Sequence, residues 1–155
     1  MTAPTIYPAK YTGTDSDYLI APGNRNGGLQ LEPFSVSVAS GTASSVVVGL
    51  QPFTKGCRFA HGAFAANLTD MDTDSDLTLD FGYVYDDNVT YTDDPNAFAT
   101  QITTGQAGGL VTLDEPLALS FLAEANGWFV MVVGVGGVAG TTPVVSGQIV
   151  FSYEG

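Results

Sequence analysis

The stretch LTDMDTDSDLTLDFGYVYDDNVTYTDDPNAFA, residues 68–99, decides the fold that we predict. In its centre, apolar and aromatic side chains occupy every second position, at Leu77, Leu79, Phe81, Tyr83 and Tyr85. Successive side chains of a β-strand point to opposite faces of the sheet, so this alternation predicts a long strand with one buried face. Acidic loops flank the strand, and nine of the sixteen acidic residues of the chain fall in this stretch.

Strand patterns also occur on both sides of this stretch. They lie at residues 34–38, 44–50, 57–66, 110–113, 117–122, 128–135 and 148–153. The segments between them are rich in glycine and proline, and many short strands joined by such turns are typical of a sandwich or a small barrel. We therefore predict an all-β fold, a two-sheet antiparallel β-sandwich of jelly-roll or immunoglobulin-like type with about eight strands.

Local patterns refine this prediction. Segment 128–135 is apolar on both faces and is predicted to be a central strand, while turns at 40–42 and 126–127 predict hairpins. One short helix is predicted near residues 95–103, because Asp94 is a favourable N-cap and Pro95 suits the first helical position. Its apolar face would consist of Ala97, Phe98 and Ile102.

The chain divides by pattern and charge into an extended N-terminal arm, residues 1–30, and a β-sandwich domain, residues 31–155. All four basic residues lie in residues 1–58 against three acidic ones, whereas residues 59–155 hold thirteen acidic residues and no basic one, so the net charge is −12. The arm itself holds Lys10 and Arg25 against Asp15 and Asp17, and we expect its two basic side chains to suit an acidic neighbour. Its predicted interface residues are Tyr7, Lys10, Tyr11, Tyr18 and Arg25. The alternative is that the arm packs on its own domain.

Composition excludes several classes of protein. A net charge of −12 repels phosphate backbones, so we expect no nucleic-acid partner. The longest apolar run, residues 128–139, contains three glycines and is shorter than the ~20 residues that cross a bilayer, so we expect no membrane segment. Residues 1–10 lack the features of a secretory signal, and a single cysteine cannot form an internal disulfide, so synthesis in a cytoplasm is expected.

The aspartates that precede the long strand raise the question of a metal site. Asp70, Asp72, Asp74 and Asp76 occupy alternate positions, as carboxylates around a calcium ion can. An EF-hand needs glycine at its sixth position and glutamate at its twelfth, but Ser75 and Phe81 stand there. These four residues are therefore weak calcium candidates, and we favour a solvated loop without a metal or other cofactor.

Nucleophilic catalysis has little support in the sequence. Cys57 and His61 share one face of a predicted strand, but four residues at ~3.3 Å per residue separate them by roughly 13 Å, too far for a nucleophile and its base. One cysteine and one histidine are also too few for a zinc site. We therefore expect no catalytic residues and no enzymatic activity.

Aromatic residues near acidic loops offer another kind of site. Trp128, Tyr83, Tyr85 and Tyr91 could stack on sugar rings, because saccharide sites combine aromatic platforms with acidic groups. Core packing is the alternative that we favour for Trp128.

Several motifs resemble those of small virion proteins of tailed bacteriophages. Residues 55–62, KGCRFAHG, match a Lys-Gly-x-Arg-x-x-His-Gly strand of those proteins. Residues 77–82 match a following Leu-x-Leu-x-x-Gly strand, and residues 94–98, DPNAF, match an acidic loop with a short helix. The resemblance covers about residues 50–115. The composition, rich in Gly, Thr, Ser and Val, is similar to that of capsid cement or decoration proteins, especially of marine podoviruses.

The resemblance implies a structural function without catalysis. Such a protein binds the outer surface of the capsid after synthesis in the host cytoplasm, contacts the major capsid protein and stabilises the shell by bridging capsid subunits. Self-association, with a trimer as one form, would allow the arm to reach a neighbour. The alternative function is a phage-displayed adhesin or carbohydrate-binding module.

Overall fold

A computed structural model of the chain describes residues 4–7, 30–72, 76–113, 120–139 and 143–153. Eight strands occur in these residues: β1 Gln30–Ser37, β2 Val47–Phe53, β3 Cys57–Leu68, β4 Leu79–Tyr85, β5 Asp94–Ile102, β6 Gly109–Thr112, β7 Gly127–Val133 and β8 Val144–Tyr153. A 3₁₀ turn, Thr104–Gln106, follows β5. No helix in the described residues is long and apolar enough to span a membrane.

The strands form two antiparallel sheets that pack as a sandwich, which confirms the predicted fold class. Sheet 1 has the order β1-β8-β3-β6 and sheet 2 has the order β2-β7-β4-β5. Every strand pair in both sheets is antiparallel. In sheet 2, β7 lies between β2 and β4, so segment 128–135 contains the central strand that its apolar pattern predicts.

The core lies between the sheets and is rich in aromatic side chains. Its largest fully buried members are Phe81, Phe98, Phe129 and Phe151, each at most 1% exposed. Burial of one such side chain contributes about 1.5–3 kcal/mol to folding. The predicted inward face of β4 is confirmed, because Leu79 and Phe81 lie in this core while Asp80 points to the other side and binds the Thr100 hydroxyl.

Sheet 2 also carries a second apolar cluster on its outer face. The cluster consists of Val47, Val84, Trp128, Val130 and Val132, with Tyr7 packed against it. Alternate residues of β7 face the core and this outer cluster, which explains why the whole strand is apolar. An apolar outer face must be covered, and residues 4–7 supply part of the cover.

The helix predicted near residues 95–103 is wrong, because this segment is strand β5. An isolated helix of two turns is marginal in water, whereas the strand pairs with β4 and buries Phe98 against Tyr83 and Phe121. The backbone of residues 94–96 passes so close to Gly82 that any side chain there would clash with it. Pro95 is tolerated because β5 lies at an edge of the described sheet.

Both predicted hairpins are also wrong. The turn near Gly41 exists, with a φ of +85° at that glycine, but β1 pairs with β8 in sheet 1 and β2 pairs with β7 in sheet 2. After Asn126-Gly127, β7 pairs with β2 and β4, while Leu122 forms an antiparallel bridge with Arg58. A turn sequence specifies a reversal of the chain, but it does not specify the strands with which the two flanking segments pair.

Candidate functional site

The first described residues of the chain extend the edge of sheet 2. The Thr5 amide donates a hydrogen bond to the Val47 carbonyl at 3.0 Å, and the Gly49 amide donates to the Ile6 carbonyl at 2.7 Å. Ile6 and Val48 form a parallel bridge. Residues 4–7, which we call the N-terminal segment, therefore act as a short parallel strand beside β2.

Side-chain packing strengthens this attachment. The ring of Tyr7 meets the indole of Trp128 edge-on, with 4.8 Å between the ring centroids and 61° between the planes. Gly49 lies beneath both rings, where an added Cβ would come within 2.9 Å of Trp128 and 3.1 Å of Tyr7. Trp128 is only 6% exposed, so it packs in the protein and does not offer a surface for stacking.

The predicted interface residues have different outcomes. Tyr7 is half-buried and contacts Trp128 of its own chain. The other four predicted interface residues, Lys10, Tyr11, Tyr18 and Arg25, lie outside the described residues. The importance of Gly49 and of the outer face of β7 was not predicted, although the double-sided apolar pattern of residues 128–135 was the signal for that face.

The aspartate loop is organised around a single carboxylate. Asp72 is 5% exposed, and its Oδ2 accepts hydrogen bonds from the amides of Asp76 at 2.8 Å and Leu77 at 2.7 Å. Asp70 and Asp76 are exposed, Asp74 lies outside the described residues, and no group of three potential metal ligands occurs in the described part of the chain. In this geometry Asp72 closes the loop by binding backbone amides.

A cleft lined by tyrosines opens at the end of β4, and we call it the tyrosine cleft. Its volume is about 390 Å³, and its walls include Tyr83, Tyr85, Tyr91, Phe121, Leu122 and Glu124. The centroids of the Tyr83 and Phe121 rings are 4.8 Å apart, and those of Tyr85 and Tyr91 are 5.5 Å apart. The floor of the cleft is thus continuous with the aromatic core.

Hydrogen bonds hold the walls of this cleft in place. The hydroxyl of Tyr85 accepts a hydrogen bond from the Glu124 amide at 3.3 Å, and the Tyr85 amide donates to Asp93 Oδ1 at 2.8 Å. In the loop after β4, Asp87 Oδ1 accepts from the amides of Val89 and Thr90, both at 3.1 Å. The loop that carries Tyr91 is therefore fixed by a side chain that binds its own backbone.

The electrostatics of the cleft favour uncharged phenols. Burial, with smaller contributions from Tyr85 and from the carboxylates of Asp94, Glu124 and Asp93, raises the pKa of Tyr83 from 10.0 to about 12. Burial likewise raises the pKa of Tyr85. The neighbouring carboxylates give this end of the sandwich a negative potential. At neutral pH both hydroxyls are protonated and can donate a hydrogen bond.

Cys57 has the environment of a structural residue. It is fully buried at the start of β3, where it pairs with Tyr153 of β8. Burial raises the pKa of its thiol, so the thiolate that a nucleophile requires is scarce. His61, which the strand spacing excludes as a base for Cys57, lies on the same strand, and its side chain lies outside the described part of the structure.

Comparison with known proteins gives matches at the level of structure. A chain of the capsid of Ralstonia phage GP4 aligns with a TM-score of 0.68 at 19% identity, over 88% of this chain and 92% of that one. A chain of the capsid asymmetric unit of cyanophage Pam1 aligns with a TM-score of 0.58 at 15% identity, over 93% and 99%. The fold is shared. No protein-family model matches the chain, and the search of curated proteins gave no match.

Proposed function

We propose that this chain is a non-enzymatic structural protein of a bacteriophage virion. It binds the outer surface of the capsid and stabilises the shell by bridging subunits of the major capsid protein. The observation that carries the proposal is the shared fold, which extends over nearly the whole length of both chains in two phage capsids. The motifs of residues 55–62, 77–82 and 94–98 support the same class of protein, of cement or decoration type.

The arm, residues 1–30, is the part that reaches a neighbour in this proposal. Residues 4–7 bind the β2 edge of their own sandwich through backbone hydrogen bonds. The β2 edge of a neighbouring copy has the same donors and acceptors, so exchange of this segment between copies would supply the contact. Many weak contacts repeated over a lattice give high avidity, so one short strand from each copy is sufficient. A closed homo-oligomer such as a trimer is one arrangement of such arms.

Two basic side chains of the arm favour an acidic partner. Lys10 and Arg25 lie in the arm, which Asp15 and Asp17 make neutral overall, whereas the thirteen acidic residues after residue 58 give the sandwich a strong negative charge. Attraction of Lys10 and Arg25 to an acidic body or capsid patch would offset part of the mutual repulsion of neighbouring copies. Because exposed charges are screened over about 10 Å at 0.1 M salt, this attraction weakens as salt is raised.

Co-sedimentation with particles tests the proposal. Particles of the phage from which this gene has been deleted are mixed with purified full-length chain or with a chain that lacks residues 1–30. We expect the full-length chain to sediment with the particles and to raise the temperature at which they release DNA, and the shortened chain to remain in the supernatant. Full-length chain that stays in the supernatant, or a shortened chain that binds equally well, would contradict it.

A charge variant of the full-length chain separates loss of binding from misfolding caused by the deletion. The double variant Lys10→Gln/Arg25→Gln keeps the N-terminal segment and is expected to bind particles more weakly, with a smaller dependence on salt. Lys55→Gln is the control for Lys10→Gln and Arg25→Gln measured singly, because each removes one positive charge and Lys55 is an exposed basic residue of the sandwich domain. Equal loss of binding in the three single variants would show that total charge matters and not the arm.

A further inference from the structure

We propose that the tyrosine cleft and the cleft beside it form a groove that binds a neutral saccharide. This goes beyond a structural role, and it does not depend on the place of the chain in a virion. It rests on the shape of the groove, on the side chains that line it and on the charge around it.

The shape of the groove suits a ligand of two or three sugar units. A second cleft of about 420 Å³, which reaches Lys55, adjoins the tyrosine cleft of about 390 Å³. Tyr91, Leu122 and Glu124 line both clefts, so these residues stand at the boundary between two subsites. Both volumes fall in the range of roughly 300–1,000 Å³ that is usual for small-molecule sites.

The lining combines an apolar platform with hydrogen-bonding groups. Tyr91 is half-buried, and its ring and the side chain of Leu122 offer apolar surface for the C–H face of a pyranose. Thr90, Thr92, Ser120 and Glu124, whose side chains carry hydroxyl and carboxylate groups, also line the cleft. Hydroxyl groups donate and accept hydrogen bonds and carboxylates accept them, so together they can pair with sugar hydroxyls that act as acceptors or as donors.

Charge selects between classes of saccharide. The carboxylates of Asp93, Asp94 and Glu124 act on Tyr83 in the floor of the tyrosine cleft. They outnumber the single ammonium group, that of Lys55, which lines the second cleft, so the groove as a whole carries a net negative charge. These carboxylates would repel an anionic sugar but not a neutral one, so the groove favours neutral saccharides. The walls are already held by the hydrogen bonds from the Val89 and Thr90 amides to Asp87 and from the Glu124 amide to Tyr85. Binding therefore costs little conformational entropy of the protein.

Saturation-transfer NMR with the full-length chain tests this proposal. Cellotriose and tri-N-acetylchitotriose are the neutral probes and N-acetylneuraminic acid is the anionic one, each at about 10 mM, where a Kd near 1 mM gives a strong signal. We expect transfer to at least one neutral probe and none to the anionic one. Absence of transfer to both neutral probes, or stronger transfer to the anionic one, overturns the proposal.

Variants of the boundary residues locate the binding. Tyr91→Ala should weaken the affinity for the neutral probe by roughly tenfold, as expected for loss of one aromatic contact. Tyr91→Phe, which keeps the ring, and Val89→Ala, at a position 93% exposed on the same loop, should bind within about twofold of the parent. If Tyr91→Ala does not fold, Leu122→Ala serves in its place. Binding that survives removal of the boundary side chain refutes a site in this groove.

Discussion

Gly49→Ala is the change that most directly tests how the N-terminal segment is attached. The added Cβ would lie 2.9 Å from Trp128 Cε3, 3.1 Å from Tyr7 Cδ1 and 3.3 Å from Pro4 Cβ. Trp128 is enclosed by the valines of the outer face and cannot move far. The strain is therefore relieved by movement of Tyr7 and Pro4 away from β2.

The cost of this movement follows from the contacts that are lost. Two backbone hydrogen bonds contribute about 1 kcal/mol each, and the contact between the Tyr7 and Trp128 rings adds about 1 kcal/mol. Replacing glycine by alanine returns about 0.5–1 kcal/mol through the lower entropy of the unfolded chain. We expect a net loss of about 2 kcal/mol in the free energy of unfolding, or about 4–8 °C in Tm.

Urea denaturation followed by tryptophan fluorescence measures this loss at the site itself, because Trp128 is the single tryptophan of the chain. Gly49→Ala is measured alone and in a Tyr7→Ala background, where half of the clash has been removed. We expect the cost of Gly49→Ala to fall by about 1 kcal/mol in that background. An equal cost in both backgrounds would show that Tyr7 does not pack over Gly49.

Four further predictions concern other parts of the chain. A thiol reagent should label Cys57 after unfolding but not in the native protein at neutral pH, because burial raises the pKa of the thiol; full labelling of native protein would contradict its burial. The raised pKa of Tyr83 means that the unfolded chain loses the phenol proton first, so the free energy of unfolding should fall between pH 10 and about 12 and be unaffected below, and Tyr83→Phe should reduce that slope. An unchanged slope would place Tyr83 in water. Asp72→Ala should cost about 3 kcal/mol, because it leaves two amides without their acceptor, and Asp72→Asn should cost less. Calcium should leave the Tm of the parent chain unchanged, and a rise would restore the metal hypothesis.

The strands were predictable where one residue pattern had one physical cause. The alternation through Phe81 reflects a single buried face, and the apolar run through Trp128 reflects a strand that is covered on both sides. Strand β5, which begins at Asp94-Pro95, was not predictable in this way, because the local helix-capping signals there compete with pairing to β4 that no local pattern records. The hairpins failed for the same reason, since the partner of each strand is set by the sandwich as a whole.

The candidate site was predictable only in part. Tyr83, Tyr85 and Tyr91 stood out because they lie near acidic loops and saccharide sites combine aromatic platforms with acidic groups. Phe121, Leu122 and Glu124 could not be joined to them from the sequence, because tertiary folding alone brings residues 120–124 to the end of β4. Asp72 looked like its acidic neighbours, and only the fold shows that its carboxylate turns inward to bind backbone amides.

The most direct measurement is a cryo-electron microscopy map of particles from the phage that encodes this chain, compared with particles from a deletion of its gene. We predict sandwich-shaped density on the outer surface of the parental shell, with residues 1–30 extending onto a neighbouring subunit, and no such density in the deletion particles. Identical maps, together with absence of the chain from purified particles by mass spectrometry, would contradict the claim that it is a structural protein of the virion.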